Sequence, residues 1–572
     1  MRVKKQAQTP ESSTSLLQKG PNGLYKVSLD LKGKEMRVLK ETTTVCPKCV
    51  EEGVLHVIPA KIIECEGMIL YEKECEKHGK SQDIYWSDSE LYKRAEKFKW
   101  EGKGPVVARV KKENYEDYRC PQDCVGPLTG LCGYHKTRTC LGIVDVTNRC
   151  NLRCPTCFAT AGTMDYVYEP SIEQLEACFR AIEANAGKAV QLTGGEPTVR
   201  DDLPEIAEKA REYFHHVEIN TNAIRISRDK EYLKNLGSVT FYISYDTENN
   251  PVVYDQFRGR GIYDPNTRRK KVEGITGQDL IDIKKKAVDN VEEVDSRVVL
   301  CPTIGMNNID QVWPIVEYAL NKGQVIRGVD FQPISFGGRG GVKQRATIPD
   351  LILRIEKESG FISRYDWYPV PTVGPLFDIA EHFSGESLPS FTVHPHCGMA
   401  TILVEKEEKW TPLPRFFDVE KLHKAFVEIA KGLAETGLGK VPGRLNAAYN
   451  YFFKFKAAIR EADPFVREAV EEIMDKKDYT AVKDLFADRR VLFLGSMHFQ
   501  DPDNIDFQRV RRCGIHQAYP DGSLMPFCII NSGIVAENGM PTRDAKLRQF
   551  GVPWKDYLST VEKQEVEASA TV

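Results

Sequence analysis

From residue 141 onward, short apolar segments alternate with amphipathic ones, and no other feature of the sequence restricts the fold as strongly. The apolar segments have the length of buried strands, and the amphipathic segments have the period of helices. The predicted strands are 141–147, 189–193, 216–221, 239–245, 297–304 and 328–335. The predicted helices begin with one at Ser171 and continue with 203–214, 230–236, 279–291 and 311–322. This alternation predicts an α/β fold with a parallel sheet, and six units favour a partial (β/α)6 barrel over a closed barrel of eight.

The rest of the chain differs from this segment in composition. We predict, in chain order, a loose tail (1–40), a β-like metal domain (41–100), a cysteine-bearing loop (101–140), the barrel core (141–345), a mostly helical segment (346–490), a β-like C-terminal region (491–535) and a tail (536–572). The last residues are acidic and poor in apolar side chains, so we expect them to be disordered.

The charge is nearly balanced, with 79 basic and 82 acidic residues and a net charge of −3. This balance argues against binding of nucleic acid through bulk electrostatics. The N-terminus lacks the apolar run of a signal peptide, and no run of 18 apolar residues predicts a transmembrane segment. We therefore expect a cytoplasmic protein.

The chain has 16 cysteines, many of them closely grouped, which favours metal binding over disulfides. The group Cys150, Cys154 and Cys157 has the spacing C-x3-C-x2-C and follows the first predicted strand directly. Three thiolates can hold three irons of a [4Fe–4S] cluster and leave the fourth iron open for another ligand, whereas a structural site is closed by four. A loop at the carboxyl end of a parallel sheet is also where α/β folds place active sites.

This cysteine loop, together with Phe158 after its last cysteine, resembles that of the radical S-adenosylmethionine (SAM) superfamily. The resemblance implies that the amino and carboxylate groups of SAM chelate the open iron. One electron from the cluster then cleaves SAM to a 5′-deoxyadenosyl radical. The alternative from the spacing alone is a zinc or ferredoxin-type site.

Polar and glycine-rich segments follow the next three predicted strands. Gly194, Gly195, Glu196 and Pro197 match the GGEP motif of the same superfamily, which binds the SAM amino group. Glycines allow close backbone approach, and an ammonium group needs an acceptor. The polar residues after the later strands resemble those that contact SAM in the family, and turn or capping roles are the alternative: Asn222, Ser244 and Asp246.

Upstream, two knuckles, Cys46-x2-Cys49 and Cys75-x2-His78, are separated by a hairpin-like stretch. Three thiolates and one imidazole form a tetrahedral site for a mononuclear Zn or Fe, and the sequence does not distinguish these metals. Cys65 is an alternative to His78 as the fourth ligand.

Two further cysteine groups predict one or two auxiliary [4Fe–4S] clusters. Cys120, Cys124 and Cys132 lie just before the first barrel strand. Cys397, Cys513 and Cys528 lie near the C-terminus, where the segment from 513 to 528 resembles half of a SPASM-type cluster hairpin. The alternative for these groups is unrelated buried thiols, which is our prediction for the remaining cysteines: Cys65, Cys140, Cys178 and Cys301.

The order of the segments TTTVCPKC, YWSDSELY, CPQDC, IVDVTNRCNLRCPTCFA and CGIHQAYPDGSLMPFC resembles one radical SAM group from about residue 40 to 530. This is the archaeal tetraether-synthase-like family, also described as pterin-methylating radical SAM proteins, with a rubredoxin-like N-terminus. The resemblance implies joining of two lipid tails by a C–C bond, with an electron donor such as a ferredoxin and peripheral contact with the membrane. The alternatives are methylation or another C–H functionalisation of a pterin or lipid, and a non-catalytic Fe–S electron carrier.

Overall fold

The computed structural model describes residues 17–19, 25–27, 34–107, 130–294, 296–341, 345–434, 454–464, 467, 490–536 and 539–570. All six predicted barrel strands are present: Leu141–Thr147, Ala189–Gly194, His216–Thr221, Thr240–Ser244, Arg297–Cys301 and Ile326–Pro333. They are hydrogen-bonded in this order and all in parallel. The predicted parallel α/β barrel core is therefore confirmed.

The sheet extends beyond these six strands at both edges. The strand Val491–Met497 pairs in parallel with the sixth barrel strand, and Ile515–Ala518 pairs in parallel with the first. The region 491–535 thus supplies two more parallel strands to the barrel sheet. This pairing joins segments more than 150 residues apart along the chain, so local sequence patterns do not report it.

Helices cover the outer face of the sheet. They are Ile172–Ala184, Leu203–Arg211, Lys230–Asn235, Pro251–Phe257, Gly277–Glu293 and Val312–Asn321. The first begins with the predicted capping box, in which the Gln174 amide donates to the Ser171 hydroxyl at 3.3 Å. Its buried side chains, Leu175, Phe179 and Ile182 among them, belong to the main apolar core between the helices and the sheet.

The segment 346–490 is helical only in part. Its described helices are Ile348–Ser359, Gly374–Ser384, Val419–Ala434 and Lys456–Arg460. A hairpin, Gly398–Lys406 with Lys409–Pro412, also lies in this segment, and its first strand pairs antiparallel with Val491–Met497. The prediction of a mostly helical segment overlooked this hairpin, whose two strands are joined by the charged turn 407–408.

The N-terminal domain is a four-stranded antiparallel sheet. Its strands are Arg37–Val45, Val57–Cys65, Met68–Cys75 and Gly79–Trp86, with helices Pro47–Glu51 and Ser89–Glu96. The Tyr71 hydroxyl donates to the Ile505 carbonyl at 2.6 Å, and the Thr42 hydroxyl donates to Asp506 Oδ1 at 2.6 Å. These buried bonds fix the domain to the C-terminal region.

The tails contain more regular structure than the sequence predicts. Leu17–Lys19 and Tyr25–Val27 form a short antiparallel pair, and residues 536–572 include the helices Thr542–Leu547 and Trp554–Ala570. The Arg268 guanidinium lies 3.4 Å from the centre of the Trp554 ring, so this helix is anchored by a side-chain contact that composition does not reveal. The prediction of disorder for the acidic residues 562–572 is wrong for 562–570, which belong to the helix Trp554–Ala570.

The remaining elements are short. The strands are Tyr166–Val167, Gly261–Tyr263, Lys270–Glu273, Thr303–Ile304, Tyr368–Pro369, Leu524–Pro526 and Val552–Pro553, and the helices are Phe507–Val510 and Phe527–Asn531. Within the described part of the chain, no helix combines the length and the apolar character needed to span a bilayer.

Candidate active site and metal centres

The C-x3-C-x2-C cysteines lie in the loop that follows the first barrel strand. Cys150 is buried, and Cys154 and Cys157 are half-buried beside it in one apolar cluster with Leu152 and Ala159. Burial raises the pKa of Cys150 and of Cys154. The neighbouring Cys154 thiolate raises the pKa of Cys150 further, and the Cys157 thiolate raises that of Cys154. Three thiolates gathered out of water are stable only around cations, so this donor set suits the irons of a cluster.

A buried ion pair lies beside the cluster loop. Arg258 donates to both carboxylate oxygens of Asp246, at 2.6 and 2.7 Å, and the Thr303 amide donates to Asp246 Oδ1 at 3.0 Å. The Arg258 guanidinium also hydrogen-bonds Cys154 and lowers the pKa of its thiol against the effect of burial. Asp246, predicted as a SAM contact, thus orients a cation toward the cluster loop.

The two glycines of the GGEP motif touch the backbone of the cysteine loop. The Gly195 amide donates to the Thr147 carbonyl at 2.7 Å, and the Glu196 amide donates to the Arg149 carbonyl at 2.9 Å. A Cβ on Gly194 would lie 2.1 Å from the Thr147 oxygen, and one on Gly195 would lie 2.1 Å from the Arg149 oxygen. Gly194 also has a φ of +124°. Only glycine fits at these two positions.

The Glu196 carboxylate is buried and accepts hydrogen bonds from neighbouring donors through both of its oxygens. It accepts from the hydroxyls of Thr198 and Thr221, both at 2.6 Å, and from the Asn222 amide at 2.7 Å. Burial raises the pKa of Glu196, and these bonds oppose that shift. Glu196 therefore ties the end of the second barrel strand to the end of the third.

Lys284 joins the other two predicted SAM-contact positions. Its ammonium donates to the Asn222 carbonyl and to the Ser244 hydroxyl, each at 3.1 Å, and the Asn222 side-chain amide donates to Asn151 Oδ1 at 2.7 Å. Burial lowers the pKa of Lys284 to about 7. Lys284 was not among the predicted site residues, although a lysine on the apolar face of a helix, between Leu280 and Val288, is a signal that the sequence contains.

The glycine-rich loop 336–341 clamps the cysteine loop from the opposite side. The Arg339 amide donates to the Cys157 carbonyl at 3.1 Å, and its guanidinium donates to the carbonyls of Cys154 and Ala161 at 3.0 and 2.6 Å. A Cβ on Gly338 would lie 2.3 Å from the Phe158 oxygen. Sequence analysis left this loop unassigned, because glycine richness alone fits a mobile connection equally well.

Aromatic side chains separate the cluster loop from a larger cavity. The ring of Phe527 lies 5.9 Å from that of Phe158 and 4.7 Å from that of Phe499. On the far side is an apolar cavity of about 640 Å3, whose lining includes Val370, Phe391, Phe426 and Met497. We refer to it below as the apolar cavity.

The C-terminal cysteines meet at the wall of this cavity. Cys397, Cys513 and Cys528 all line it, and the thiols of Cys513 and Cys528 are hydrogen-bonded to each other. Burial raises the pKa of Cys397, and the adjacent Arg509 guanidinium opposes the shift. The arrangement suits an anionic cluster and is compatible with the predicted auxiliary site. Of the other predicted group, Cys132 is half-buried, while Cys120 and Cys124 lie outside the described residues.

The N-terminal ligands converge as the two knuckles predict. The Sγ atoms of Cys46 and Cys49 lie 3.3 and 3.4 Å from His78 Nδ1, and the Sγ atoms of Cys49 and Cys75 lie 4.0 Å apart. In a tetrahedral zinc site, the sulfur–nitrogen and sulfur–sulfur separations between ligands are about 3.6–3.8 Å, so the observed separations are close to those of a metal-bound site. Glu52 Oε1 lies 3.2 Å from His78 Nε2 and orients the imidazole.

The positions of Cys65 and His56 bear on which side chains ligate the metal. Cys65 lies elsewhere, in an apolar cluster with Ile63 and Leu70, so it does not replace His78. His56 Nδ1, which sequence analysis overlooked, lies 3.6 Å from the sulfurs of both Cys49 and Cys75.

Two family matches agree with this geometry. Residues 144–319 match the Radical SAM superfamily, and residues 38–87 match the HMPTM N-terminal zinc ribbon domain. Among solved structures, the chain is similar to SuiB of Streptococcus suis bound to S-adenosylmethionine, at 18% identity and a TM-score of 0.31, covering 39% of this chain and 48% of that one.

The chain is also similar to characterised proteins. A protein of Methanocaldococcus jannaschii, named 7,8-dihydro-6-hydroxymethylpterin dimethyltransferase, is 37% identical over 516 residues, covering 86% of this chain and 93% of that one. The Fe-coproporphyrin III synthase of Methanosarcina barkeri is 28% identical over 212 residues, covering 37% of this chain and 48% of that one.

The barrel and its cysteine loop define a radical SAM enzyme, with SAM and a [4Fe–4S] cluster as cofactors and a mononuclear metal in the N-terminal domain. Within that superfamily, the chain belongs to the same family as the M. jannaschii protein. The name of that relative does not support the more specific tetraether-synthase expectation, which is taken up below as a proposal.

The close contact between Gly338 and the cysteine loop can be tested directly by substitution. We expect Gly338→Ala to lower 5′-deoxyadenosine production by about 100-fold, because its methyl group would displace the backbone at Phe158. Gly340→Ala is the matched control: its φ of +59° is similar, but its nearest contact is 3.5 Å away. Liquid chromatography of the nucleoside measures both. Equal activity of the two variants would contradict the clamp.

If the N-terminal site binds a metal ion, removal of its ligands should lower the metal content of the protein. The double variant Cys46→Ser, Cys49→Ser should lose one metal ion per chain and unfold at lower temperature, because structural metal sites stabilise the fold directly. Elemental analysis and thermal unfolding measure these effects. Cys65→Ser, in the same sheet, should retain the metal. Unchanged metal content in the double variant would refute the assignment.

Proposed function

We propose that the protein functionalises C–H bonds of a pterin, by methylation or another C–H functionalisation. The observation that carries this proposal is the 37% identity to the M. jannaschii pterin dimethyltransferase, which extends over 86% of this chain rather than over the barrel alone. A substrate carbon without an acidic proton is inaccessible to acid–base chemistry, so radical chemistry is the appropriate class of reaction.

When bound, the cluster and SAM supply a carbon radical that abstracts hydrogen from such a carbon. The residues of this chain position the cysteine loop and the strand ends around it. The two glycine loops hold the cysteine loop in register, Glu196 and Lys284 fix the strand ends beside it, and the ring of Phe527 packs edge-on against that of Phe158. A one-electron donor such as a ferredoxin is the partner that this chemistry requires.

A second candidate function is the joining of two lipid tails into a tetraether lipid, and the apolar cavity favours it. Its wall is almost wholly carbon, and it reaches Phe499, beside the cluster pocket. A saturated chain is the substrate that such a wall accepts. Coupling two methyl carbons removes two hydrogen atoms, so two SAM molecules would be consumed per bond. This function would place the protein at the membrane surface.

Product analysis distinguishes the two candidates. Anaerobically reconstituted protein with SAM and a reductant is offered 7,8-dihydro-6-hydroxymethylpterin in one reaction and an archaeal diether lipid in another. The proposal predicts that the pterin stimulates 5′-deoxyadenosine formation and that deuterium from a labelled pterin appears in the nucleoside. A coupled lipid, lighter than two substrates by two hydrogens, together with an unchanged pterin, would replace the first candidate by the second.

A further inference from the structure

The interior of the barrel carries a group of polar side chains that the cluster site does not use. Along each strand the neighbouring residues are buried in the outer apolar core: Val190, Leu192, Val217, Ile219, Phe241, Ile243, Val329 and Phe331. Because side chains alternate across a strand, the residues between them face inward. These inward residues, which we call the lumen group, are Gln191, Glu218, Tyr242 and Asp330.

Glu218 is at the centre of the lumen group. The Gln191 side-chain amide donates to Glu218 Oε2 at 3.1 Å, and the Tyr242 hydroxyl also hydrogen-bonds the carboxylate. Asp330, on the sixth barrel strand, lies close enough to act on Glu218 electrostatically, and Gln332 hydrogen-bonds Asp330. Polar side chains from four strands therefore point into the same part of the barrel interior.

The two carboxyl groups lack a cationic partner. Burial raises the pKa of Glu218 to about 7 and that of Asp330 to about 6. Among the described residues, no lysine or arginine lies close enough to oppose either shift. A buried carboxylate without a cation is costly, and apolar side chains would fill the space with greater stability. The pair is therefore best explained by a ligand that supplies hydrogen-bond donors.

The lumen group is also accessible from both sides. Glu218 lines the inner end of the apolar cavity, beside Leu141 and Ala189. Gln332, the partner of Asp330, lines the small cavity next to Phe158 and Thr156 of the cluster loop. A ligand bound between the two carboxylates would thus lie just below the site where SAM is cleaved.

We propose that Glu218 and Asp330 bind the donor edge of a flat nitrogen heterocycle, the 2-amino-pyrimidinone edge of a pterin. That edge presents two parallel N–H groups, as a guanidinium does, and a carboxylate accepts such a pair with both oxygens. Gln191 and Tyr242 orient the Glu218 carboxylate. The inference rests on the proposed pterin function and deepens it by naming the residues that select the ring.

The test is a binding measurement without turnover. Reconstituted holoenzyme with SAM, but without reductant, is titrated calorimetrically with 7,8-dihydro-6-hydroxymethylpterin. We expect Glu218→Gln and Asp330→Asn each to weaken binding about 10- to 100-fold, the effect of a lost charge-assisted pair. Glu231→Gln, an exposed carboxyl on the outer helix Lys230–Asn235, is the control and should bind as the unmodified protein does.

The pH dependence gives a second readout. Binding should tighten from pH 6 to pH 8, because a protonated Glu218 offers one acceptor fewer and its pKa is about 7. The titratable groups that face Glu218 are Tyr242, Cys301 and Asp330. They are neutral or anionic between pH 6 and pH 8, so none of them reverses the expected pH dependence of binding. Glu218→Gln should flatten the profile, which a purely structural role would not do.

The outcomes separate the inference from the function on which it rests. If the unmodified protein binds the pterin and both variants bind it equally well, the lumen group is not the recognition site, and the pterin function stands. If the unmodified protein binds no pterin while it still cleaves SAM, both proposals are overturned. If a variant unfolds, the other variant and the pH profile of the unmodified protein decide.

Discussion

Besides its own backbone hydrogen bonds, the cysteine loop between the first barrel strand and residue 162 depends on contacts from other segments to fix its shape. Two glycine-bearing loops supply them, since Gly195 and Gly338 meet its carbonyls at distances that exclude any Cβ. Backbone contact of this kind positions three thiolates more rigidly than side-chain packing can, because it has no rotamers to vary. The positions of Glu196, Lys284 and Arg258 follow, since each bonds to a strand end or loop fixed in this way.

The barrel core could be predicted because each of its strands is short, apolar and followed by a helix, so local patterns suffice. The first strand, Leu141–Thr147, has the predicted bounds, and the Ser171 cap begins the predicted helix. The added strand Val491–Met497 could not be assigned, because its pairing partner is a strand 165 residues earlier in the chain. Disorder was predicted for the acidic residues 562–572 from composition, which does not report that residues 562–570 continue a helix anchored at its first residue by the contact of Arg268 with Trp554.

The candidate site divides in the same way. Cys46 with Cys49 and the GGEP glycines were predictable from residue type and spacing. Few other residues can coordinate the metal, and only glycine allows the close backbone contact. Single basic residues were not. Arg258 and Arg339 act through contacts across loops, and nothing in their local sequence separates them from the surface arginines nearby. The polar lumen and the apolar cavity likewise exist only once the strands are assembled.

The central claim is that Cys150, Cys154 and Cys157 hold the cluster that cleaves SAM. The most direct test changes all three to alanine, reconstitutes the protein anaerobically and measures 5′-deoxyadenosine after reduction with dithionite. The account predicts no nucleoside, with the mononuclear metal at Cys46, Cys49, Cys75 and His78 retained. Formation of 5′-deoxyadenosine by this variant at the rate of the unmodified protein would contradict it.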